Sequence, residues 1–302
     1  MLGGQGLGEN NLGESGMQYI AAKDAGDVVS LLAAKGNKRI LAGGTDVLVQ
    51  MKLREGDLDY LIDIKRISGI SEISNTPDGF EIGACVSGAK MGKNAALKAM
   101  WPGVVEAVEL IGSTQVQGRA TMVGNLCNGS PAADSVPALL TAGASAKVFG
   151  PDGEKEVNIA QLLDGPGRIK LDLQSFITSI RLPTPPERSA DAYLRFIPRT
   201  EMDIAVAGAS VNLSLGEDGT VLTASVALGA VAPTAVLVPE AALALIGSKL
   251  ENAALTACAI ACAAACAPID DKRGTVEFRT RVAGVLAIRA AKIAYTRAGG
   301  QL

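Results

Sequence analysis

The pattern of apolar and polar positions in the first part of the chain is that of alternating strands and helices. Residues 17–20 and 39–42 are short apolar runs typical of buried strands, and residues 24–35 carry apolar side chains at helical spacing. A glycine turn, a helix from about Asp46 and a further apolar run at residues 58–64 follow. Because strand, helix and strand succeed one another within about thirty residues, the two strands are predicted to be parallel.

From residue 70 the pattern changes to the two-residue period of antiparallel strands. Residues 70–87 are predicted to form a hairpin around a Pro-Asp-Gly turn, and residues 145–159 to form a second hairpin. Helices are predicted to begin at Pro102 and near Asp134, and residues 113–131 between them are rich in loop-forming residues. This part of the chain therefore has the character of an α+β unit.

The last part of the chain contains one more clear hairpin and then only helical patterns. Residues 206–215 and 220–231 alternate, and Gly-Glu-Asp-Gly joins them, which predicts an antiparallel hairpin with one polar face. Helices are predicted at residues 239–246, 250–267 and 276–295. The apolar stripe of the last helix is predicted to consist of Phe278, Val282, Leu286 and Ile293.

These changes of pattern divide the chain into four segments. Residues 1–16 are predicted to be a flexible N-terminal tail, because they are rich in glycine and polar residues. Residues 17–66 form a βαβ subdomain and residues 67–170 a second subdomain. A predicted strand at residues 175–182 and a proline-rich stretch open the C-terminal domain, residues 171–302.

Composition removes several kinds of chemistry. The chain has 302 residues and no histidine, which excludes histidine-based acid–base catalysis, Ser-His-Asp and Cys-His nucleophiles, and histidine-containing metal sites. Its net charge of −3 comes from interspersed acidic and basic residues, a pattern that argues against nucleic-acid binding. We find neither a secretory signal nor a membrane span in the sequence, and we expect a cytoplasmic protein.

The cysteines leave a metal site as the less favoured of two interpretations. Cys258, Cys262 and Cys266 recur every four residues and so share one helical stripe. Three thiols without a fourth ligand are more typical of small buried side chains than of a metal site. We therefore expect these cysteines to pack in a core.

Two segments could bind a ligand. The first, residues 42–46 (Ala-Gly-Gly-Thr-Asp), follows a predicted strand, and its backbone N–H groups could bind a phosphate. The second, residues 117–140, is dense in small polar residues and ends where Asp134 or Ser135 could cap a helix. Each is also compatible with an ordinary turn or a capped loop. Together they favour a long ligand with a central pyrophosphate, such as a dinucleotide.

At this point the sequence resembles a known family. The stretches ILAGGTDVLVQMK, LIDIKRISGISEI, EIGA, ATMVGNLCNGSPAADSVPALL and PIDDKRGTVEFRTRVAGVLAIRAAK occur in the order and at the separations found in the FAD-binding medium subunit of the molybdenum hydroxylases, the xanthine dehydrogenase and carbon monoxide dehydrogenase family. The resemblance covers residues 17–298. It implies an α+β fold: a two-subdomain FAD-binding region of the vanillyl-alcohol-oxidase (PCMH) type, followed by a C-terminal α+β domain with an antiparallel sheet and helices.

The resemblance also implies a set of FAD-binding residues. In the family the first glycine segment contacts the pyrophosphate, and the second contacts the flavin and its ribityl-diphosphate. Carried over by position, the FAD-binding residues here are Leu41, Ala42, Gly43, Gly44, Thr45, Asp46, Val47, Ile111, Thr121, Met122, Val123, Gly124, Asn125, Asn128, Asp134, Ile177 and Arg195. The resemblance implies no catalytic residue and no metal ligand in this chain, and it places Tyr193 near the flavin ring.

Three positions depart from the family pattern. Val123 replaces a glycine, and a valine there would be strained if the position requires a positive φ. Gly118 stands where asparagine is common. Arg195 stands where lysine is common, which keeps the charge but changes its reach and hydrogen-bond geometry.

The function that the resemblance implies is electron transfer. A large molybdopterin subunit would hydroxylate the substrate, and a small subunit would relay the electrons through [2Fe-2S] clusters. FAD in this chain would pass them to an external acceptor, and the complex is expected to be a dimer of heterotrimers. A self-contained FAD oxidase or reductase of the same fold and a flavin-free assembly subunit are the alternatives. The sequence names neither the substrate nor the acceptor.

Overall fold

A computed structural model describes residues 16–53, 58–200 and 202–302. The predicted N-terminal tail lies outside the described residues apart from Gly16. Within the described ranges the chain forms three sheets with helices packed against them, so the predicted α+β class is confirmed.

The first unit is a small parallel sheet with the strand order β1-β3-β2, and both pairings are parallel, as predicted. Its elements are β1 (Gln18–Ala21), α1 (Ala25–Ala33), β2 (Lys38–Leu41), α2 (Val47–Leu53) and β3 (Tyr60–Asp63). Asp24 begins α1 by accepting a hydrogen bond from the N–H of Asp27. Val28 of α1 and Ile62 of β3 are fully buried and join the core of the second unit.

The second unit is an antiparallel sheet with the order β4-β5-β8-β6-β7 and several short helices. Its elements are β4 (Ile73–Thr76), β5 (Gly79–Gly83), α3 (Gly88–Gly92), α4 (Ala95–Met100), α5 (Pro102–Glu109), α6 (Thr114–Gln117), α7 (Met122–Cys127), α8 (Ser135–Thr141), β6 (Ser145–Gly150), β7 (Gly153–Asn158), α9 (Ile159–Leu162) and β8 (Phe176–Pro183). Both predicted hairpins are present.

Two predictions in the second unit are wrong. The boundary at residue 171 is too early, because β8 lies between β5 and β6 and completes this sheet. Residues 113–131 are not mainly a loop. Ser113 and Thr121 accept hydrogen bonds from N–H groups three residues ahead, and so cap α6 and α7.

The C-terminal unit is an antiparallel sheet, ordered β12-β11-β10-β9, with helices on one side. Its elements are β9 (Ser189–Phe196), β10 (Ala207–Leu215), β11 (Val221–Gly229), β12 (Val236–Leu237), α10 (Pro239–Leu245), α11 (Asn252–Ala264) and α12 (Val276–Arg297). The predicted β10–β11 hairpin is confirmed, and part of its polar face, on β10, packs against α8. The hydroxyls of Ser210 and Thr141 lie 2.7 Å apart across that contact, and Asn212 Nδ2 donates to the Thr141 carbonyl at 3.1 Å.

The apolar stripe predicted for α12 is wrong at Phe278, which is 39% exposed. The buried face consists mainly of small residues, Ala283, Ala287, Ala290 and Ala294 among them, together with Arg279. Small side chains let the helix approach the sheet closely. The buried positions of α12 are therefore distinguished by small side chains more than by hydrophobicity. In the neighbouring α11 Cys258 and Cys262 are fully buried in the same core, as the packing interpretation predicts.

The second and C-terminal units meet at the start of α5. Asp191 of β9 accepts hydrogen bonds from the N–H groups of Gly103 and Val104, at 2.8 and 2.9 Å, and so caps α5 across the interface. Arg297 of α12 pairs with Glu106 of α5. Across the described ranges no helix is long and apolar enough to cross a membrane.

Candidate functional site

A cleft of about 700 Å³ lies where the first unit meets the second. The first glycine segment and α2 form one wall, and α7 with the strand β8 forms another. The cleft brings together most of the residues predicted to bind FAD. Those that line it are Ala42, Gly43, Gly44, Thr45, Asp46, Val47, Ile111, Thr121, Val123, Gly124, Asn125, Asn128 and Ile177.

Four predicted residues lie outside the cleft wall, for two different reasons. Leu41 and Met122 are buried hydrophobic residues behind the wall, and Met122 belongs to the core that the first two units share. Asp134 and Arg195 form a separate buried ion pair.

Gly44 shapes the first wall of the cleft through its backbone. Its φ of 82° lies in the left-handed region that favours glycine. A Cβ at this position would also lie 2.9 Å from Leu41 Cδ1. The turn directs Thr45 and Asp46 into the cleft, where burial raises the pKa of Asp46 above its usual value.

Gly43 has a different role, because it allows the two glycine-bearing segments to touch. A Cβ on Gly43 would lie 2.0 Å from the carbonyl oxygen of Arg119, and Arg119 Nε donates to the Gly43 carbonyl at 3.1 Å. On the other side Lys65 Nζ donates to the Ala42 carbonyl at 3.3 Å and pairs with Asp63 at 2.7 Å. Contacts from both sides therefore fix the first segment.

The second wall is built on the short helix α7. Thr121 Oγ1 accepts from the Gly124 N–H at 2.9 Å and so begins the helix. Asn125 Oδ1 accepts from the N–H and hydroxyl of Ser135, at 3.2 and 2.7 Å. Gln50 of α2 donates to Asn128 Oδ1 at 2.8 Å, which ties the two walls together.

Val123 fits its position without backbone strain. It lies in the first turn of α7 with helical geometry and is not among the non-glycine residues with positive φ. The side chain is 6% exposed and contributes to the core that the first two units share. The replacement of glycine by valine is therefore compatible with an intact wall.

Asp134 and Arg195 form a buried pair beneath the second wall. Arg195 Nη1 lies 2.6 Å from Asp134 Oδ2, and the Tyr193 hydroxyl donates to Asp134 Oδ1 at 2.8 Å. Burial raises the pKa of Asp134 to about 6, although Arg195 and Tyr193 oppose the rise. The predicted cap of α8 by Asp134 or Ser135 is wrong: Asp134 stands at the N-cap position, but no side chain caps the helix there.

One wall of the cleft was not predicted from the sequence. The loop between α9 and β8 contributes Arg168, Ile169 and Leu171. It packs on the second glycine-bearing segment at Gly129, whose φ is 63° and whose carbonyl accepts from the Gly167 N–H at 2.8 Å. The Gly-Pro-Gly-Arg stretch at residues 165–168 is the sequence signal that could have revealed it.

The donor set and shape of the cleft fit FAD. A cradle of glycines, hydroxyls and amides stands on one side, and a Cβ on Gly44 would collide with Leu41. Ile64, Ile111 and Ile177 add an apolar surface for a flat ring system. The wall also holds cations that suit a pyrophosphate, Arg39 and Arg168, and its volume is typical of cofactor sites.

Comparison with known proteins agrees with this geometry. Residues 15–185 match the family model described as the FAD binding domain in molybdopterin dehydrogenase, and residues 192–294 match the CO dehydrogenase flavoprotein C-terminal domain. The junction between the two matches follows the end of β8 and not residue 171.

Relatives of similar length support the same assignment. The chain is 33% identical over 282 residues to the carbon monoxide dehydrogenase medium chain of Afipia carboxidovorans, covering 93% of this chain and 97% of the relative. It is 27% identical to the xanthine dehydrogenase FAD-binding subunit of Escherichia coli O157:H7, covering 94% and 98%. A solved carbon monoxide dehydrogenase from Hydrogenophaga pseudoflava has a chain with 32% identity and a TM-score of 0.88, covering 93% and 98%.

The matches, the fold and the cleft lead to one assignment. This chain contains an FAD-binding domain followed by a C-terminal flavoprotein domain, and its relatives are FAD subunits of oxidoreductase complexes. The chain belongs to the family of FAD-binding medium subunits of molybdenum hydroxylases, which includes the carbon monoxide dehydrogenase and xanthine dehydrogenase subunits.

Proposed function

We propose that this chain is the FAD-carrying electron-transfer subunit of a molybdenum hydroxylase complex. In this proposal it takes electrons from the [2Fe-2S] clusters of a small subunit, which a large molybdopterin subunit supplies, and delivers them to an external acceptor. The observation that supports it best is the cleft between two glycine-bearing segments. Bound FAD supplies the redox chemistry, a two-electron carrier that exchanges electrons with one-electron partners.

The chain's own residues would hold the cofactor. Gly44, Thr45 and the first turn of α7 would bind the pyrophosphate through N–H and hydroxyl groups. Ile111 and Ile177 would cover the flavin ring. The buried Asp134–Arg195 pair and Tyr193 would set the charge beneath the second wall.

The residues that line the cleft favour the electron-transfer role over a self-contained oxidase and over a flavin-free subunit. An oxidase with its own substrate needs a base beside the flavin. The chain has no histidine, and Asp46 and Asp164 are the only carboxylates among the described residues that line the cleft. A flavin-free subunit is disfavoured because Val123, the departure that suggests one, leaves the wall unstrained.

The assembly and compartment form part of the proposal. We propose a dimer of heterotrimers as the assembly, and the names of the relatives, a medium chain and an FAD-binding subunit, support a complex of several subunits. We place the complex in the cytoplasm, since the described cysteines are free thiols, which suits a reducing compartment.

The test is the flavin content of the purified chain. Wild-type protein is expected to carry FAD, with absorption bands near about 370 and 450 nm. Gly44→Val with Asp134→Ala should lose most of it, because valine disfavours a positive φ and its side chain would press on Leu41 behind the wall, which distorts the turn. Gly143→Val is the matched control: Gly143 has a φ of 64°, has open space around its Cβ and does not line the cleft.

Two results would contradict the proposal. If the wild-type chain carries no flavin after expression with its partner subunits, the proposed FAD site is wrong. A chain that holds FAD but turns over an organic substrate without any partner would instead identify a self-contained oxidase.

A further inference from the structure

The C-terminal stretch of the family resemblance, residues 268–292, lies outside the cleft, yet its residue Arg279 contacts two backbone carbonyls next to the segments that carry the buried pair. Arg279 of α12 is 4% exposed, although arginine is rarely buried without partners. Its Nη2 donates to Asp271 Oδ1 at 2.7 Å, and its Nε donates to the Gly274 carbonyl at 3.3 Å. Asp271 is fixed in turn by the N–H groups of Arg273 and Gly274.

The remaining donor of Arg279 joins two strands of the C-terminal sheet. Nη1 donates to the carbonyl of Val206 at 2.8 Å and to that of Ala230 at 3.3 Å. Val206 directly precedes β10, and Ala230 directly follows β11 with a φ of 65°, a strained value for a residue other than glycine. The guanidinium therefore links the strained residue after the end of β11 to the residue before the start of β10.

Both contacts lead to the buried ion pair. On one side the Val206 N–H donates to the Phe196 carbonyl at 2.9 Å, and Phe196 follows Arg195. On the other side the Ala230 N–H donates to the Pro131 carbonyl at 2.8 Å, three residues before Asp134. One guanidinium thus contacts two backbone positions, each of which is hydrogen-bonded to the chain near one member of the pair.

One further contact and one unpaired atom concern the residues next to this arrangement. The ring of Phe196, next to Arg195, meets the ring of Phe278, next to Arg279, edge to face at 5.4 Å. Arg195 Nε is buried and lacks a hydrogen-bond partner among the described residues, whereas its Nη1 donates to Asp134.

We propose that Arg279 is a positioning residue for the FAD site, which acts by fixing the Asp134–Arg195 pair. This inference rests on the proposed function, because it takes that pair to lie beside the flavin. Arg279 itself does not line the cleft, so its effect on the cofactor passes through Val206 and Ala230.

The first experiment uses the full chain without FAD, so it does not depend on the cofactor. Arg279→Lys keeps the charge but loses the three-nitrogen geometry that joins the two carbonyls to Asp271 and Gly274. Amide hydrogen exchange at Val206 and Ala230 is expected to accelerate by about tenfold, the order of one lost hydrogen bond. Exchange in the first sheet should not change. Arg281→Lys, on an exposed position of the same helix, is the matched control and should alter neither region.

The second experiment measures FAD binding by flavin fluorescence in a double-mutant cycle. Arg279→Lys should weaken FAD binding by about tenfold in the wild-type background. It should weaken binding by less than about twofold when Arg195→Met is present, because the ion pair that Arg279 positions is then already lost. The visible spectrum of the bound FAD should shift in Arg279→Lys but not in Arg281→Lys.

Each outcome decides between the proposals. Equal losses in both backgrounds, or unchanged exchange at Val206 and Ala230, would overturn the positioning role of Arg279. If the wild-type chain binds no FAD, the proposed function fails, and the exchange comparison alone still decides whether Arg279 fixes these strands.

Discussion

Gly43 and Gly44 are adjacent in the sequence but meet different structural requirements. Gly44 needs its glycine for a positive φ, whereas Gly43 needs it because the backbone of Arg119 leaves no space for a Cβ. The first requirement shapes the cleft, and the second holds the first and second units against each other. The doublet therefore combines a turn with a contact between two subdomains.

Gly43→Ala is expected to lower the free energy of unfolding by about 2–4 kcal/mol, because the new methyl group forces the two backbones apart. Urea denaturation followed by circular dichroism measures the change. Gly118→Ala is the control, since Gly118 has helical backbone angles and a Cβ there would meet nothing closer than 3.3 Å. An equal loss in both variants would show that the close approach to the Arg119 backbone is not the cause of the destabilisation.

The pKa of Asp63 fixes the direction in which its contribution to the free energy of unfolding changes with pH. Burial raises its pKa, but the hydrogen bonds from Lys65 and Tyr19 outweigh burial and hold the pKa below its usual value. A lowered native pKa contributes stability above the unfolded pKa of about 3.8, and that contribution is lost as the pH falls through the native value.

Asp63→Asn should therefore destabilise the protein by a constant amount between about pH 5 and pH 8, and by progressively less below about pH 4. Chemical denaturation at a series of pH values tests this. Asp172→Asn removes a carboxylate from an exposed pair with Lys155 and should change little. A difference that grows on acidification would contradict the assignment.

Sequence patterns could identify Asp134 and Arg195 but not their relation. The resemblance marks both as flavin-site residues, yet they lie 61 positions apart, Asp134 at the start of α8 and Arg195 in β9. Their pairing depends on how the C-terminal unit packs on α8, which no local pattern records. For the same reason the predicted apolar stripe of α12 includes the exposed Phe278 and leaves out the buried Arg279.

At the scale of elements, a residue from another unit caps the N-terminus of α5. The first N–H groups of a helix have no partner within it, and Trp101 at the N-cap of α5 supplies no side-chain hydrogen bond. Asp191 of β9 supplies two acceptors instead. Burial raises the pKa of Asp191 to about 6, while the two N–H groups oppose the rise.

Asp191→Ala should cost about 2–4 kcal/mol in the free energy of unfolding, because it leaves two buried N–H groups without acceptors. Asn94→Ala removes an ordinary cap from α4, where Asn94 accepts from the Leu97 N–H at 2.9 Å, and should cost about 1 kcal/mol. Denaturant titration of both variants gives the comparison. A smaller loss for Asp191 than for Asn94 would argue against the shared cap.

Most elements were predictable, and the misses have physical causes. The hairpins and long helices follow from periodicity. The helix α7 is six residues long and rich in small polar residues, so its composition resembles that of a loop, and only the cap at Thr121 distinguishes it. The strand β8 was recognised, but its assignment to a sheet depends on long-range pairing.

At the scale of the whole molecule, two hydrophobic cores meet along a polar contact. The first core is built mainly by the first and second units, with Tyr193, Ala227 and Ala235 of the C-terminal unit, and the second fills the C-terminal unit. Residues such as Thr141, Ser210 and Asp191 link them through hydrogen bonds. We therefore expect both cores to respond to a ligand in the cleft.

FAD at about one hundred times its dissociation constant should stabilise the native chain by about 2.7 kcal/mol and raise the unfolding midpoint by about 5 °C. Differential scanning calorimetry is expected to show one transition that moves as a whole. FMN, which lacks the adenylate half, is the matched ligand control and should produce a smaller shift. A shift confined to one of two separate transitions would show that the cores are not coupled.

The position of β8 in its sheet has a consequence for synthesis. The strand lies between β5 and β6, yet it follows both in the chain, after the whole β6–β7 hairpin. A nascent chain that ends before residue 176 therefore holds the β4–β5 and β6–β7 hairpins without the central strand. Because Phe176 and Ile177 of this strand also line the cleft, cofactor capture must wait until the ribosome has delivered it.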